Sequence, residues 1–266
     1  MAKWKDYLDN IKRCREFYNS DFYQYLTLEK LDYVAKVIHG LMDDPDIFDK
    51  ELYNCAAEYY TNNEHTYEVI IYRNRPSLIH SKTKDIRLGL DCICSWKSLY
   101  KFHDKKEEWI EDYETIRSNI KSHLIFPRHR DNINTLRGRC LKDRIDLTLF
   151  DLKKFYEVSK DKSDEEFRDY LGKLDNKDNE LIFLKAYLNN ATFLWLRSFS
   201  SFIDYCEKNK LKNYLIINGK SIEVRDLNAN KLTVKRLKPS VLTTIPNDRT
   251  PNKNYYSNLK SILEMS

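Results

Sequence analysis

Only five glycines occur in the 266 residues. This scarcity constrains the chain strongly, because the common backbone cradles for phosphate and the sharp turns that present a nucleophile depend on glycine. No G-x-G-x-x-G and no G-x-x-x-x-G-K-[ST] is present, which excludes the usual dinucleotide and P-loop sites. G-x-S-x-G and H-E-x-x-H are missing too, which argues against an α/β-hydrolase elbow and a zincin helix. An anion bound by such a chain must be held mainly by side chains. Gly138, between Arg137 and Arg139, is the one glycine placed to let backbone contribute.

Nineteen Tyr, twelve Phe and four Trp give the aromatic surface that disordered chains lack. No apolar run approaches the roughly 18 residues that a membrane helix needs. Met1-Ala2-Lys3-Trp4-Lys5-Asp6 has no apolar core of a secretory signal, so the cytoplasm is expected, that of the host if the gene belongs to a phage. The bias toward Lys, Asn, Ile and Tyr looks like an AT-rich coding sequence, which points to a low-GC bacterium or one of its phages. Cysteines lie at 14, 55, 92, 94, 140 and 206. Only Cys92 and Cys94 are close, no second pair completes a zinc site, and reduced, mostly buried thiols are expected. No metal and no cofactor is called for.

Apolar spacing predicts helices over 4–19, 28–41 (capped by Thr27) and 48–61. Thr66–Tyr72 is β-branched and aromatic and reads as a strand that Arg75-Pro76 breaks, followed by strands at 77–81 and 86–96. A polar helix is expected over 103–122, a short apolar segment at 124–127, and a loop or helix at 132–139. Asp146–Tyr156 is the clearest helix of the second half, and 157–180 reads as a charged turn with an exposed helix. Residues 181–206 read as core helices broken near Asn189-Asn190. Tyr214–Val224 reads as a hairpin in which Asn218-Gly219 favours a type I′ turn. An extended arm over 239–254 and a short helix over 256–264 close the chain. Helices and strands interleave without a βαβ rhythm, so the expected class is α+β, mixed helices with a small antiparallel sheet in a single globular unit. The charged stretch divides it into 1–156 and 157–266, which could equally be one continuous domain.

The net charge of +5 is modest for this length, but it is unevenly spread. Residues 121–146 hold Lys121, His123, Arg128, His129, Arg130, Arg137, Arg139, Lys142 and Arg144 against Asp131, Asp143 and Asp146. Guanidinium forks grip phosphate or carboxylate at two points, which lysine cannot do. Arg128, Arg130, Asn134, Arg137, Arg139 and Arg144 are therefore the candidate anion-binding residues. The structural alternative pairs Arg137 and Arg144 with Asp143 and Asp146 to hold a loop. His123 and His129 are candidate acid/base groups, though no nucleophile or carboxylate cluster stands beside them. His80 and His103 have no interpretable spacing. Tyr18, Tyr23, Tyr25, Tyr59, Tyr60, Tyr255 and Tyr256 have polar neighbours and are the candidates for exposed interface aromatics.

His123-Leu124-Ile125-Phe126-Pro127-Arg128-His129-Arg130, Ile133-Asn134, Leu136-Arg137-Gly138 and Asp143-Arg144-Ile145-Asp146-Leu147-Thr148-Leu149 together resemble the FPxHxxxIN…RG…DRxDLTL signature of an uncharacterised bacterial family of unknown function, over residues 123–156. The chain departs from it at Asp131, where that family tends to have Ser. The resemblance implies one folded unit around this segment and no reaction type.

Two functional classes follow. One is a non-enzymatic interaction protein, phage-encoded and directed at a host defence or nucleic-acid-handling complex, with a host or partner protein as its ligand. The other binds nucleic acid or a nucleotide phosphate through the Arg-rich 128–144 segment, or acts as an enzyme on a phosphate-containing substrate. No membrane partner is expected, and self-association stays open.

Overall fold

The computed structural model describes residues 45–72, 75–93, 120–128, 144–173, 184, 187–188, 190–229 and 252–265. The helices expected over 4–19 and 28–41 and the segment 132–139 lie outside them; of the helix expected over 103–122 only Ile120–Ser122 is described, as a single tight turn, and of the arm expected over 239–254 only residues 252–254, which cap and open the last helix.

Helix α1 (Pro45–Tyr60) presents Tyr53, Ala56, Ala57 and Tyr60 at i, i+3, i+4, i+7, and all four are buried. It lies against the first strands of an antiparallel meander: β1 (Tyr67–Tyr72), β2 (Arg75–His80), β3 (Arg87–Cys92) and β4 (His123–Pro127), in that order across the sheet. Leu124, Ile125 and Phe126 of β4 are all fully buried, so the strand is covered on both faces. The Tyr60 hydroxyl donates to the His123 carbonyl. Trp195 meets Phe126 edge-on, with ring centroids 5.8 Å apart.

Pro76 does not break a strand. It lies within β2, opposite Ile71 of β1. The β2–β3 ladder includes only Leu78↔Leu88 and Ile79↔Arg87, so Pro76 sits on a stretch where β3 is no longer paired and its missing N–H is tolerated.

Helix α2 (Ile145–Ser159) buries Leu149, Leu152, Phe155 and Tyr156. Phe155 packs against Phe167, with centroids 5.0 Å apart. Phe167 belongs to α3 (Asp164–Lys173), whose Ser163 and Glu166 form a reciprocal capping box with bonds of 3.2 and 2.8 Å. α4 (Asn190–Arg197) and α5 (Phe202–Lys208) carry Trp195 and Tyr205 into the core, and Phe199 is buried in the turn at 198–201 that separates the two helices. Cys55 and Cys206 are buried, and burial pushes the Cys206 thiol up.

β5 (Leu215–Asn218) and β6 (Ser221–Val224) form the expected hairpin, but with Asn218 paired to Ser221. The turn residues are thus Gly219-Lys220, and of these only Gly219 has positive φ (+59°). That is the type II′ pattern, with glycine first, not type I′. Helix α6 (Lys253–Glu264) starts at Asn252, whose side chain accepts from Tyr255 N. The described part of the chain is therefore α+β: six helices, a four-stranded antiparallel sheet and a two-stranded one. None of the helices described is long and apolar enough to cross a membrane.

Tyr60, Tyr255 and Tyr256 are buried, not exposed, and Tyr59 is half-buried. Tyr255, Tyr256, Leu259, Ile262 and Leu263 form the inner face of α6, and the Tyr255 phenol has internal partners that make burial affordable. Tyr18, Tyr23 and Tyr25 lie outside the described residues.

Candidate functional site

The sheet splits where β2 and β3 part, and two side chains fill the split. Leu90 N of β3 donates to the Tyr53 hydroxyl at 3.1 Å. The Pro76 carbonyl of β2 accepts from Nη2 of Arg128 at 2.8 Å. Arg128 Nη2 also donates to the Tyr53 hydroxyl. A phenol and a guanidinium stand where strand partners would, which answers the requirement that buried backbone groups be bonded.

Arg128 follows β4 directly, and its backbone N donates to Arg87 O at 3.0 Å. Its side chain then crosses β3 at Gly89, where no Cβ obstructs it. The guanidinium carbon lies 5.5 Å from the Tyr53 ring centroid. Strand alternation from the Ile79↔Arg87 pair carries Ser77 to the same face. Two polar atoms of this region, Arg128 Nε and Ser77 Oγ, are buried without a hydrogen-bond partner. Among the described residues no carboxylate lies within ion-pair distance of Arg128, which is only half-buried.

Arg144 is placed differently. It is fully buried just before α2, and donates Nε and Nη2 to the two oxygens of Asp146 at 2.9 and 2.5 Å. Asp146 also accepts from Leu147 N at 2.9 Å and Leu227 N at 3.1 Å. Asp226 stands 3.8 Å from the Arg144 fork. The guanidinium is thus turned inward onto carboxylates, closing α2 onto the segment after β6. His123 is half-buried in β4, paired with Cys92 across the ladder. His129, Arg130, Asn134, Arg137 and Arg139 lie outside the described residues.

A second polar cluster carries no sequence motif. His65 and His80 are fully buried at one end of the β1–β2 hairpin, with His65 Nδ1 and His80 Nε2 2.6 Å apart. His80 Nδ1 meets Thr83 Oγ1 at 3.1 Å, and the His65 ring stacks on Phe199 at 4.5 Å. Burial, then the His65 and Lys82 charges, lowers the His80 pKa to about 4. Burial also lowers that of His65. The pair is therefore neutral near pH 7 and shares one proton between facing nitrogens. The Tyr67↔His80 register signals this proximity, because it sets the residues just before β1 and at the end of β2 side by side. Among the described residues no group of three or more His, Cys, Asp or Glu could hold a metal ion.

Residues 31–172 match a family of unknown function, DUF6994. That span contains α1, the split sheet, the Arg144–Asp146 pair and nearly all of α3. No curated protein and no solved structure matches the chain.

Proposed function

The chain belongs to that family, whose description assigns no activity, and from its residues we propose that it binds a phosphate-bearing ligand, a nucleotide or a nucleic-acid backbone, beside the split in the four-stranded sheet. One observation carries this reading: Arg128 holds its guanidinium half-buried, with no carboxylate beside it among the described residues and with Nε unsatisfied. A half-buried guanidinium whose bonds go only to neutral acceptors favours an anion, because a partly desolvated charge is more stable beside a counter-charge. Arg144 and Arg197 each have an aspartate, at 2.5 and 2.7 Å. In this reading Arg130, Asn134, Arg137 and Arg139 add donors from the segment that follows Arg128, while Arg144 shapes the fold.

The test is binding of labelled single- and double-stranded oligonucleotides, with a nucleoside monophosphate as competitor, across a range of salt. Affinity should fall steeply with salt as counterions are released. Arg128→Lys keeps the charge but loses the fork and should weaken binding about tenfold or more. Competition by the monophosphate identifies a nucleotide site. Unchanged affinity in both Arg128→Lys and Arg130→Ala, with the fold intact, overturns the proposal.

The interaction-protein reading rests on a different observation. Ile216 and Ile217 of the β5–β6 hairpin are 37 and 45 % exposed, and among the described residues no third strand pairs with this two-stranded ribbon, whose edge would suit another strand. It is the weaker of the two, because most of the described tyrosines that suggested a docking face are core residues. Co-purification of a host protein that depends on Ile216 and Ile217 would favour it.

A further inference from the structure

Helix α5 ends in a Schellman motif: Leu211 N donates to Cys206 O at 2.7 Å and Lys210 N to Glu207 O at 3.2 Å. The position between helix cap and exit must be left-handed and is usually glycine. Here it is Lys210, at φ +59°. A strained lysine where glycine would fit without penalty calls for a reason in its side chain.

That side chain lines a surface cavity of about 300 Å³. Its walls are Tyr59 at the end of α1, Lys121 before β4, Glu207 of α5, Lys212 and Tyr214 of the turn before β5, and Leu263 of α6. Of the charged wall residues, Glu207 is paired with Lys212 at 2.8 Å. Lys210 has no carboxylate within ion-pair distance among the described residues. Its ammonium stands 5.9 Å from the Tyr59 ring centroid, at the apolar side of the cavity. The five residues of β4 separate Lys121 from Arg128, so this cavity is distinct from the split in the sheet.

We propose that the cavity of Lys121, Lys210 and Lys212 binds a small phosphorylated molecule, its phosphate held by the lysines and its organic part lying against Tyr59, Tyr214 and Leu263. The size suits a compact ligand. The left-handed lysine is then a binding residue retained against the preference of the backbone.

The experiment pairs affinity with stability. Phenyl phosphate and inorganic phosphate are titrated calorimetrically at low salt into the wild type, Lys210→Gly and Lys210→Asn, each also in an Arg128→Lys background. Both Lys210 variants suit a left-handed backbone, so they should fold. The wild type should bind phenyl phosphate more tightly than inorganic phosphate. Both Lys210 variants should lose at least fivefold in affinity, and Lys210→Gly should melt a few degrees higher than the wild type. The loss on Lys210 substitution should be the same in an Arg128→Lys background, which separates the fate of this site from that of the split sheet. No binding to the wild type, equal affinity in the Lys210 variants, or loss of binding only in Arg128→Lys each overturns the proposal. A lower melting point in Lys210→Gly shows instead that the lysine is kept for the helix end or for Tyr59, and overturns it too.

Discussion

Gly89 and Arg128 share one volume: a Cβ on Gly89 would stand 2.7 Å from Nε of Arg128 and 3.0 Å from its Cγ. The glycine is needed for close approach, not for a turn. Gly89→Ala should therefore push Arg128 off the sheet, leaving the Pro76 carbonyl and Tyr53 hydroxyl without their guanidinium. Overpacking of this kind costs about 1–3 kcal/mol, read as a lower urea midpoint at an unchanged slope. Anion binding beside the split should weaken with it. A Gly89→Ala protein with wild-type stability and affinity would mean that Arg128 is not fixed by this crossing.

The Arg144–Asp146 pair predicts a larger effect. Asp146 accepts from both arms of the guanidinium and from two backbone amides, with all of these groups buried. Asp146→Asn would take the two-point partner from a buried charge and leave it the longer contact with Asp226 at 3.8 Å, at a cost of about 3 kcal/mol. The half-exposed pair Arg197–Asp164 is the internal comparison. Asp164→Asn should cost no more than about 1 kcal/mol. Chemical denaturation of both variants checks the contrast, and equal losses would refute it.

The family match stops at 172, but the core does not. The Tyr255 hydroxyl accepts from Ile145 N at 3.0 Å and donates to Ile93 O at 3.1 Å, tying α6 to the start of α2 and the end of β3. Leu227 N completes Asp146, and Trp195 covers Phe126. A fragment of residues 31–172 should therefore fail to give a cooperative thermal transition. In the full chain, Tyr255→Phe should lose about 1–3 kcal/mol, because two buried backbone groups lose their partner. A cooperatively folding fragment would show that the later elements are dispensable.

Local signals carried most of what the sequence made legible. The α2 stripe, the β1 run and the β5–β6 hairpin each follow from residues within a dozen positions, and each is observed close to its expected bounds. The Asn-Gly dipeptide does not fix the turn type, because the strand ends decide which two residues bridge them. The split sheet was not legible, since Tyr53 lies far from Leu90 and Arg128 in sequence and tyrosine at a helix position carries no mark of its distant partners. The His65–His80 pair was hidden for the same reason. The polar neighbours of the α6 tyrosines mask the spacing that puts them on one buried face with Leu259, Ile262 and Leu263.

That histidine pair sets a pH dependence whose sign is fixed by burial. Desolvation is the main cause of the lowering for both rings. Lys82 opposes protonation of both and Lys208 that of His65, while Asp204 and Glu64 favour it at His65 only in part. The folded His80 titrates at about 4, and an unfolded histidine near 6.5. Between those values the unfolded chain binds more protons than the folded one, so stability rises with pH. The contribution is complete above about pH 7 and is lost progressively as pH falls from about 6.5 toward 4. Urea midpoints measured from pH 7.5 to 5 should fall more for the wild type than for His80→Gln, which removes one titrating ring. Carboxylates common to both proteins cancel in that difference. Parallel curves for the two proteins would show that the pair does not stay neutral on folding.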